Sequence, residues 1–331
     1  MANAIAKINT IALASIAKLN GITEANIEKL NTLIALSIVL KKAIFGYGIT
    51  NNYVSLTNLV SNVGVVATDT TGVGTARQSL AAAGYGGDKA IFGYGYQTSI
   101  TNKVSNTGVV ATNTTGVGTA RFHLAAAEYG TDKAIFGYGT TFYIYSMTNK
   151  VSNSGVVATD TTGVGTARSG LAAARYGTDT AIFGYGYSGY FDGDIVLSMT
   201  NKVSNTGVVS TDTTGVGTAR RGLAAAGYGT DKAIFGYGKT GTANGGWSYV
   251  SMTNLVSNTG VVASNTTGVG TARSELAAAG YGADLAIFGY GYPGSGLGVS
   301  MTNLVSNTGV VASDTTGVGT ARHDLAAASY G

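Results

Sequence analysis

The stretch "GTARSGLAAARYGTDTAIFGYG", residues 165–186, recurs with small changes along the chain and decides the fold. Its last six residues, "AIFGYG", occur six times, and each copy is followed by a "GTAR" arginine. The six copies begin at Ala43, Ala90, Ala134, Ala181, Ala233 and Ala286. The six arginines are Arg77, Arg121, Arg168, Arg220, Arg273 and Arg322. A repeat of this length is typical of solenoids and propellers, so we interpret the chain as an array of six units.

The units differ in length at one place. Successive arginines are 44, 47, 52, 53 and 49 residues apart, yet each lies 20 residues after the threonine of a "TN" pair. The next "AIFGYG" begins 13 residues after the arginine in all five available cases. Every insertion therefore falls between "GYG" and "TN", and the remainder of the unit is predicted to be scaffold.

Each unit contains four short apolar segments, "LAAAxYG", "KAIFGYG", "SMTNLVSN" and "TGVVATDT". With 51 glycines, one proline and 11% charged residues, the composition favours short strands joined by tight turns. We predict an all-β fold over residues 42–331, a six-bladed β-propeller of four-stranded blades with "LAAA" as the inner strand. The repeat begins at its second strand and ends at Gly331 after its first, so the C-terminal strand is predicted to complete the first blade.

The pattern "R-x-x-L-A-A-A-x-Y-G-x-D-K-A-I-F-G-Y-G" resembles the kelch repeat, in which an arginine precedes an apolar strand, a turn and a second strand ending in a glycine pair. This sequence has Gly-Tyr-Gly in place of adjacent glycines, and its single tryptophan, Trp247, lies in an insertion. The resemblance implies a propeller with interaction surfaces and does not specify a ligand.

Residues 1–41 have a different, 11-residue period, with "IAKINTIALAS" from Ile5, "IAKLNGITEAN" from Ile16 and "IEKLNTLIALS" from Ile27. Apolar residues at the first, fourth and seventh places predict two short helices that pack on the propeller or associate with other copies. Polar residues interrupt the first apolar stretch, so we do not expect a cleaved signal peptide. The "IAKLNG" segments resemble repeats of bacteriophage tail and fibre proteins, which implies attachment to a larger assembly or a homo-oligomer.

Composition excludes several classes of function. The chain has no cysteine, so disulfides and thiolate sites are absent. Its longest apolar run, residues 33–40, is far shorter than the roughly 20 residues of a membrane span. A net charge of +4 over 331 residues provides no basic stripe, so a nucleic-acid partner is not expected.

The sequence also predicts no catalytic residue, metal or cofactor. We interpret His123 and His323 as exposed loop residues, because the places they occupy vary between units. The repeated aspartates, such as Asp69 and Asp88, are interpreted as turn residues rather than an active site, which needs different residues converging in one pocket. Two roles remain open for the six arginines: pairing with carboxylates or carbonyls between blades, which ring-wide repetition favours, or binding an anionic sugar or phosphate at a channel mouth.

The direction of the strands places two variable regions on one face: the inserted loop and the two residues after each arginine. Aromatic residues among Gly, Ser, Asn and Thr in the inserts are typical of binding loops. The candidate ligand-binding residues are Tyr53, Tyr96, Phe142, Tyr143, Tyr145, Tyr187, Tyr190, Phe191, Trp247, Tyr249 and Tyr292, with His123 and His323 on the same face.

Two functions follow from this pattern. The first is a non-catalytic receptor- or glycan-binding propeller at a phage tail or another surface appendage, located on a virion or an extracellular surface. The alternative is a structural, self-assembling virion or surface-layer protein whose loops make subunit contacts.

Overall fold

The computed structural model describes residues 40–189, 195–242 and 245–331. A compact unit extends from Lys41 to Gly331. The described residues are all-β and contain no helix that could cross a membrane. The predicted N-terminal helices, Tyr190 and Phe191 lie outside the described residues.

Six antiparallel sheets of three strands each follow the repeat. The first strands are β3 (Ala81–Tyr85), β6 (Ala125–Tyr129), β9 (Ala172–Tyr176), β14 (Ala224–Tyr228), β19 (Ala277–Tyr281) and β22 (Ala326–Tyr330). The middle strands are β1 (Lys42–Gly46), β4 (Lys89–Gly93), β7 (Lys133–Gly137), β10 (Thr180–Gly184), β15 (Lys232–Gly236) and β20 (Leu285–Gly289). The third strands are β2 (Thr57–Val60), β5 (Thr101–Val104), β8 (Thr148–Val151), β13 (Thr200–Val203), β18 (Thr253–Val256) and β21 (Thr302–Val305).

We number the sheets along the chain. Sheet 1 is β22-β1-β2, sheet 2 is β3-β4-β5, and sheet 3 is β6-β7-β8. Sheet 4 is β9-β10-β13, sheet 5 is β14-β15-β18, and sheet 6 is β19-β20-β21. Two insertions form additional hairpins, β11 (Tyr187–Ser188) with β12 (Ile195–Val196), and β16 (Lys239–Thr242) with β17 (Gly246–Tyr249).

The middle strands are buried on both faces because each lies between two neighbouring sheets. In β1, Ala43, Ile44 and Phe45 are completely buried. Phe45 packs in a cluster with residues of sheet 6, whereas Ile44 packs in a cluster with residues of sheet 2. Six such clusters, one for each pair of neighbouring sheets, form the core. This packing explains why "AIF" is a continuous apolar run rather than an alternating one.

The first strands contact one another in series. Each contacts the first strands of both neighbouring sheets, and β22 contacts β19 as well as β3. Residues from all six first strands, mostly alanines, line one cavity of about 320 Å³. Six "LAAA" strands meet at this cavity, and only small side chains fit between strands that are packed so closely.

The C-terminal strand completes the sheet that begins near the start of the repeat. β22 pairs antiparallel with β1, from Lys42 opposite Tyr330 to Gly46 opposite Ala326. The other five first strands pair with their middle strands in the same register. This pairing confirms the prediction that the end of the chain completes the first sheet.

The prediction of a regular fourth strand in each unit is wrong. The corresponding segment of sheet 1, "VGVVATDT", meets β2 at two isolated bridges, Val60 with Val66 and Thr57 with Thr70. Between them, the Ala67 amide donates to the Leu59 carbonyl at 2.8 Å, whereas the Ala67 carbonyl accepts from Nδ2 of the buried Asn58 at 3.0 Å. The side chain of Asn58 thus takes an acceptor that a regular ladder would pair with the backbone. The other five sheets repeat the same pair of bridges.

Candidate ligand-binding face and axial cluster

The six repeat arginines are buried between sheets, with at most 2% of each exposed. Each guanidinium lies over the ring of the "GYG" tyrosine of the preceding sheet, at 4.2 to 4.6 Å from the centroid. Five of the six donate Nε to the tyrosine carbonyl of the next sheet, as Arg121 does to Tyr138 at 2.7 Å. A charge buried and bonded in this way is not accessible to a soluble anion, so the placement favours the structural role.

The carboxylates of the "TDT" segments join the same network. Oδ2 of Asp160 accepts from the Thr119 hydroxyl at 2.7 Å, and its Oδ1 lies 3.7 Å from Arg121. Burial alone would raise the pKa of Asp160, but the hydrogen bonds from Asn149 and Thr119, with the Arg121 charge, hold it below its ordinary value. Asp160 therefore connects residues of neighbouring sheets.

Two units carry asparagine where four carry this acid. In the four acid units, the arginine donates Nη2 to the buried asparagine of the next third strand. In the units with Asn113 and Asn265, the described residues provide no partner for Nη2 of Arg77 and Arg220. The carboxylate therefore orients the guanidinium, and a neutral amide does so less well.

This difference predicts that Asp160→Asn lowers the free energy of unfolding by about 1–2 kcal/mol at pH 7, the worth of a charge-assisted hydrogen bond. Asn113→Asp, the reciprocal change, should raise it by about 1 kcal/mol. A carboxyl whose pKa is lowered by folding stabilises the protein above its unfolded value of about 4, and that stability is lost as the pH falls through the folded pKa. Urea unfolding at pH 7 and at pH 3 measures both effects. Equal effects of Asp160→Asn at the two pH values would contradict this account.

The two variable regions meet on one side of the six sheets, which we call the variable face. The residue after the arginine bridges the residue after "GYG" in several units, as Phe122 does with Thr140 and Ser274 with Tyr292. The strand directions predicted this meeting of the inserted loops and the residues that follow each arginine. Loops that differ between units are therefore next to each other in space.

Aromatic side chains on the variable face form three clusters. In the first, the ring of Tyr96 lies 6.2 Å from that of Tyr53 and 5.3 Å from that of Phe122. In the second, the ring of Tyr292 lies 5.9 Å from that of Tyr249 and 5.2 Å from that of His323. These two clusters bring five of the candidate residues and Phe122 toward the axis.

The third cluster joins two neighbouring insertions. The guanidinium of Arg221 lies 3.9 Å from the ring centroid of Tyr187 and 4.9 Å from that of Trp247. Lys239 lies 5.4 Å from the Trp247 ring and pairs with Glu275 at 3.0 Å. This cluster combines aromatic surface with both signs of charge.

The remaining described candidates lie apart from these clusters. Phe142 is 87% exposed and Tyr143 is 65% exposed at the tip of one insertion. Tyr145 is half-buried, and its hydroxyl accepts from the Thr141 hydroxyl at 3.2 Å.

At the centre of the variable face lies a ring of six residues, which we call the axial ring. It consists of the residue two places after each arginine: Ser79, His123, Gly170, Gly222, Glu275 and Asp324. Each amide donates to the carbonyl of the ring member in the preceding unit, and the Ser79 amide donates to Asp324, so six backbone bonds of 2.7 to 2.9 Å close a cycle. All six have φ between 50° and 62°, the left-handed region, which the cycle maintains in the four non-glycine residues.

The axial ring gathers ionisable side chains from separate units. Nε2 of His123 lies 3.2 Å from Oδ1 of Asp324, whose Oδ2 lies 2.9 Å from Nδ1 of His323. Burial would lower the pKa of His123, but the hydrogen bond and charge of Asp324 raise it above its ordinary value. Burial would raise the pKa of Asp324, but the two histidines hold it far below its usual range. Asp324 is therefore ionised at neutral pH.

These contacts correct the interpretation of His123 and His323 as exposed loop residues. Their side chains are only 24% and 22% exposed, because each packs against Asp324 at the axis. Sequence reasoning placed the positions of Asp324, Glu275 and Ser79 on the variable face but did not name these residues as candidates. The available signal was the second place after each arginine, which holds five different residue types in six otherwise similar units.

Comparison with protein-family models and with curated proteins finds no match to this chain.

Proposed function

We propose that the six sheets form a closed six-bladed β-propeller of the kelch type and that it recognises a cell-surface glycan through the variable face without catalysis. One observation supports this function above others. The residues that differ between units come together around the axial ring, whereas the buried arginines, tyrosines and strands are nearly identical in every unit. A protein that uses its repeat only as scaffold places its specificity in such loops.

The closed propeller is supported at three levels around the axis. The six first strands contact one another in order and back to the first. β22 pairs with β1, and Arg322 donates to Tyr47 of sheet 1 at 2.9 Å. The backbone cycle of the axial ring returns from Asp324 to Ser79. Closure of this kind leaves no inner edge strand exposed.

The chemistry of the variable face fits sugars. Ligand sites combine aromatic surface with a few polar groups that fix orientation. Trp247, Tyr187, Tyr249 and Tyr292 provide flat apolar rings, and Arg221, Lys239 and Glu275 beside them provide hydrogen-bonding groups. A pyranose has the same two kinds of surface, an apolar face and a rim of hydroxyls.

Two ion pairs support binding rather than catalysis. A glycosidase needs one carboxyl that stays protonated as general acid and a second that is ionised. Asp324 is paired with His123 and His323, and Glu275 is paired with Lys239. Both carboxyls contact a cation or imidazoles rather than the apolar pocket typical of a general acid.

The proposal extends to the location of the protein. We propose that residues 1–41 attach the propeller to a larger assembly, or oligomerise it, on a virion or another extracellular surface. Their "IAKLNG" repeats, which resemble those of phage tail and fibre proteins, support this placement.

Glycan binding predicts that Trp247→Ala and Tyr292→Ala each weaken binding at least about tenfold, since truncating a central aromatic costs about 2 kcal/mol or more. Binding of the wild type to a glycan array and to intact cells is measured first, followed by titration of the strongest glycan. Val109→Ala is the matched control, because Val109 is 65% exposed on the "TGVV" segment, away from the insertions. Absence of any retained glycan or cell would contradict the proposal.

The same variants test the alternative of self-assembly. If the loops make subunit contacts, Trp247→Ala changes the subunit number measured by analytical ultracentrifugation. Phe142 and Tyr143, exposed at the tip of one insertion, provide an apolar surface for such a contact. Under the glycan proposal, the subunit number of Trp247→Ala equals that of the wild type.

A further inference from the structure

Three side chains with metal-binding atoms meet in the axial ring. His123, Glu275 and Asp324 precede the first strands of sheets 3, 6 and 1, and one ligand atom of each lies within 4.8 Å of the other two. The separation of His123 Nε2 from Asp324 Oδ1 is 3.2 Å. Two ligands bound to zinc at about 2.1 Å in a tetrahedron are roughly 3.4 Å apart. The imidazole and one carboxylate are therefore already at a spacing that a metal ion accepts.

The ligand positions are held by the backbone and by outer contacts. The cycle of six backbone bonds fixes the Cα atoms of all three residues. His323 Nδ1 bonds Asp324 Oδ2 at 2.9 Å, and the Ser79 hydroxyl donates to Asp324 Oδ1 at 3.1 Å. Metal-binding carboxylates are commonly oriented by such second partners, which raise affinity.

A recess of about 90 Å³ adjoins the axial ring, lined by the six ring members and the leucine that follows each. Gly170 and Gly222 occupy the two positions between His123 and Glu275 and bring no side chain into the ring. An ion with three protein ligands would keep a free position facing this recess, where water or a ligand oxygen fits.

We propose that His123, Glu275 and Asp324 bind one divalent transition-metal ion of the zinc type at the axis of the variable face. One imidazole nitrogen with two carboxylate oxygens suits zinc and its first-row neighbours, whereas calcium and magnesium prefer oxygen alone. Lys239 lies 3.0 Å from Oε1 of Glu275, and the second carboxylate oxygen remains for the metal. The metal site does not depend on glycan binding and is measured without a glycan.

The test uses substitutions to residues that already occur at equivalent positions of the repeat. His123→Ser introduces the residue found at Ser79, and Glu275→Gly introduces the residue found at Gly170 and Gly222. Both variants therefore keep a ring member that the fold accommodates. Gln78→Ser is the control, because Gln78 lies next to the axial ring but is not a ligand, and serine occupies its place at Ser169 and Ser274.

Isothermal titration of the full chain with zinc chloride at pH 7.5 is expected to show one zinc ion per chain with micromolar or tighter affinity. His123→Ser and Glu275→Gly are expected to weaken it at least tenfold, while Gln78→Ser binds as the wild type does. Cobalt(II) added in place of zinc should give the visible absorption of a four- or five-coordinate ion, which the two ligand variants lose. Less than 0.2 zinc per chain after dialysis, or undiminished binding by His123→Ser, would overturn the proposal.

Discussion

Replacement of Arg322 by alanine is expected to lower the free energy of unfolding by about 3–5 kcal/mol, the cost of breaking a buried charged network by removing one partner. Arg322 is fully buried where sheet 6 meets sheet 1. Its Nε donates to the Tyr47 carbonyl at 2.9 Å, its Nη2 donates to Asn58 Oδ1 at 2.7 Å, and its guanidinium lies 4.3 Å from the Tyr290 centroid. The variant leaves these acceptors without a donor and opens a cavity between the two sheets.

Urea unfolding followed by circular dichroism measures this effect. Arg175→Ala is the matched control, since Arg175 is 28% exposed and pairs with Glu128 at 3.4 Å near the other end of the first strands. A partly exposed pair of this kind contributes about 1 kcal/mol or less. Equal losses of stability in the two variants would show that Arg322 does not connect the last sheet to the first.

Deletion of residues 325–331 is expected to have a still larger effect and to abolish cooperative unfolding. The deletion removes β22, so β1 loses the strand that pairs with it over five residues, and β19 and β3 lose a common neighbour. Ile44 and Phe45, which are completely buried, would lose part of their cover. The core is divided among six interfaces of similar composition, and two of them include residues of this segment.

Thermal unfolding followed by near-ultraviolet circular dichroism, together with size-exclusion chromatography, measures the result. Ser329→Gly is the control for sequence change in β22, because glycine stands at the equivalent place in β3, β14 and β19. We expect this control to unfold cooperatively. A deletion variant that is monomeric and unfolds in one sharp transition would be inconsistent with the role assigned to β22.

Much of the fold is predictable from spacing alone. The constant distances on both sides of each arginine locate the strands, and the place where the repeat starts and stops predicts that β22 pairs with β1. The adjacency of the inserted loops and the residues after each arginine follows from strand direction. These inferences succeed because the same local structure occurs six times in one sequence. Comparing the six copies separates the positions of constant spacing from the loops whose length changes.

Other features depend on contacts that no local pattern reveals. The stacking of Arg77 on Tyr47 and its bond to the Tyr94 carbonyl connect residues of different units. The irregular pairing beside β2 involves the Asn58 side chain, whose Nδ2 donates to the Ala67 carbonyl. Asn58 belongs to a "TN" pair, and the sequence around it predicts a regular strand.

The sequence did not reveal the axial ring for a related reason. His123, Glu275 and Asp324 each occupy the same place in different units, and a position that varies between units looks like drift when units are aligned. The backbone cycle of the axial ring makes the residues of one variable column of the repeat neighbours in space. The sequence neighbours of His123 do not reveal its contact with Asp324, which lies 201 residues away in the chain.

Native-state hydrogen exchange tests the closed ring most directly, because both the variable face and the axial ring depend on it. In a closed ring, amides bonded between β22 and β1 exchange only when the whole unit opens, with protection within about threefold of that between β9 and β10. In an open array the terminal sheets fray first, as they do in linear repeat proteins. Equal protection of the two pairs is the result we predict. Exchange of the β22–β1 amides tens of times faster than the β9–β10 amides would contradict closure.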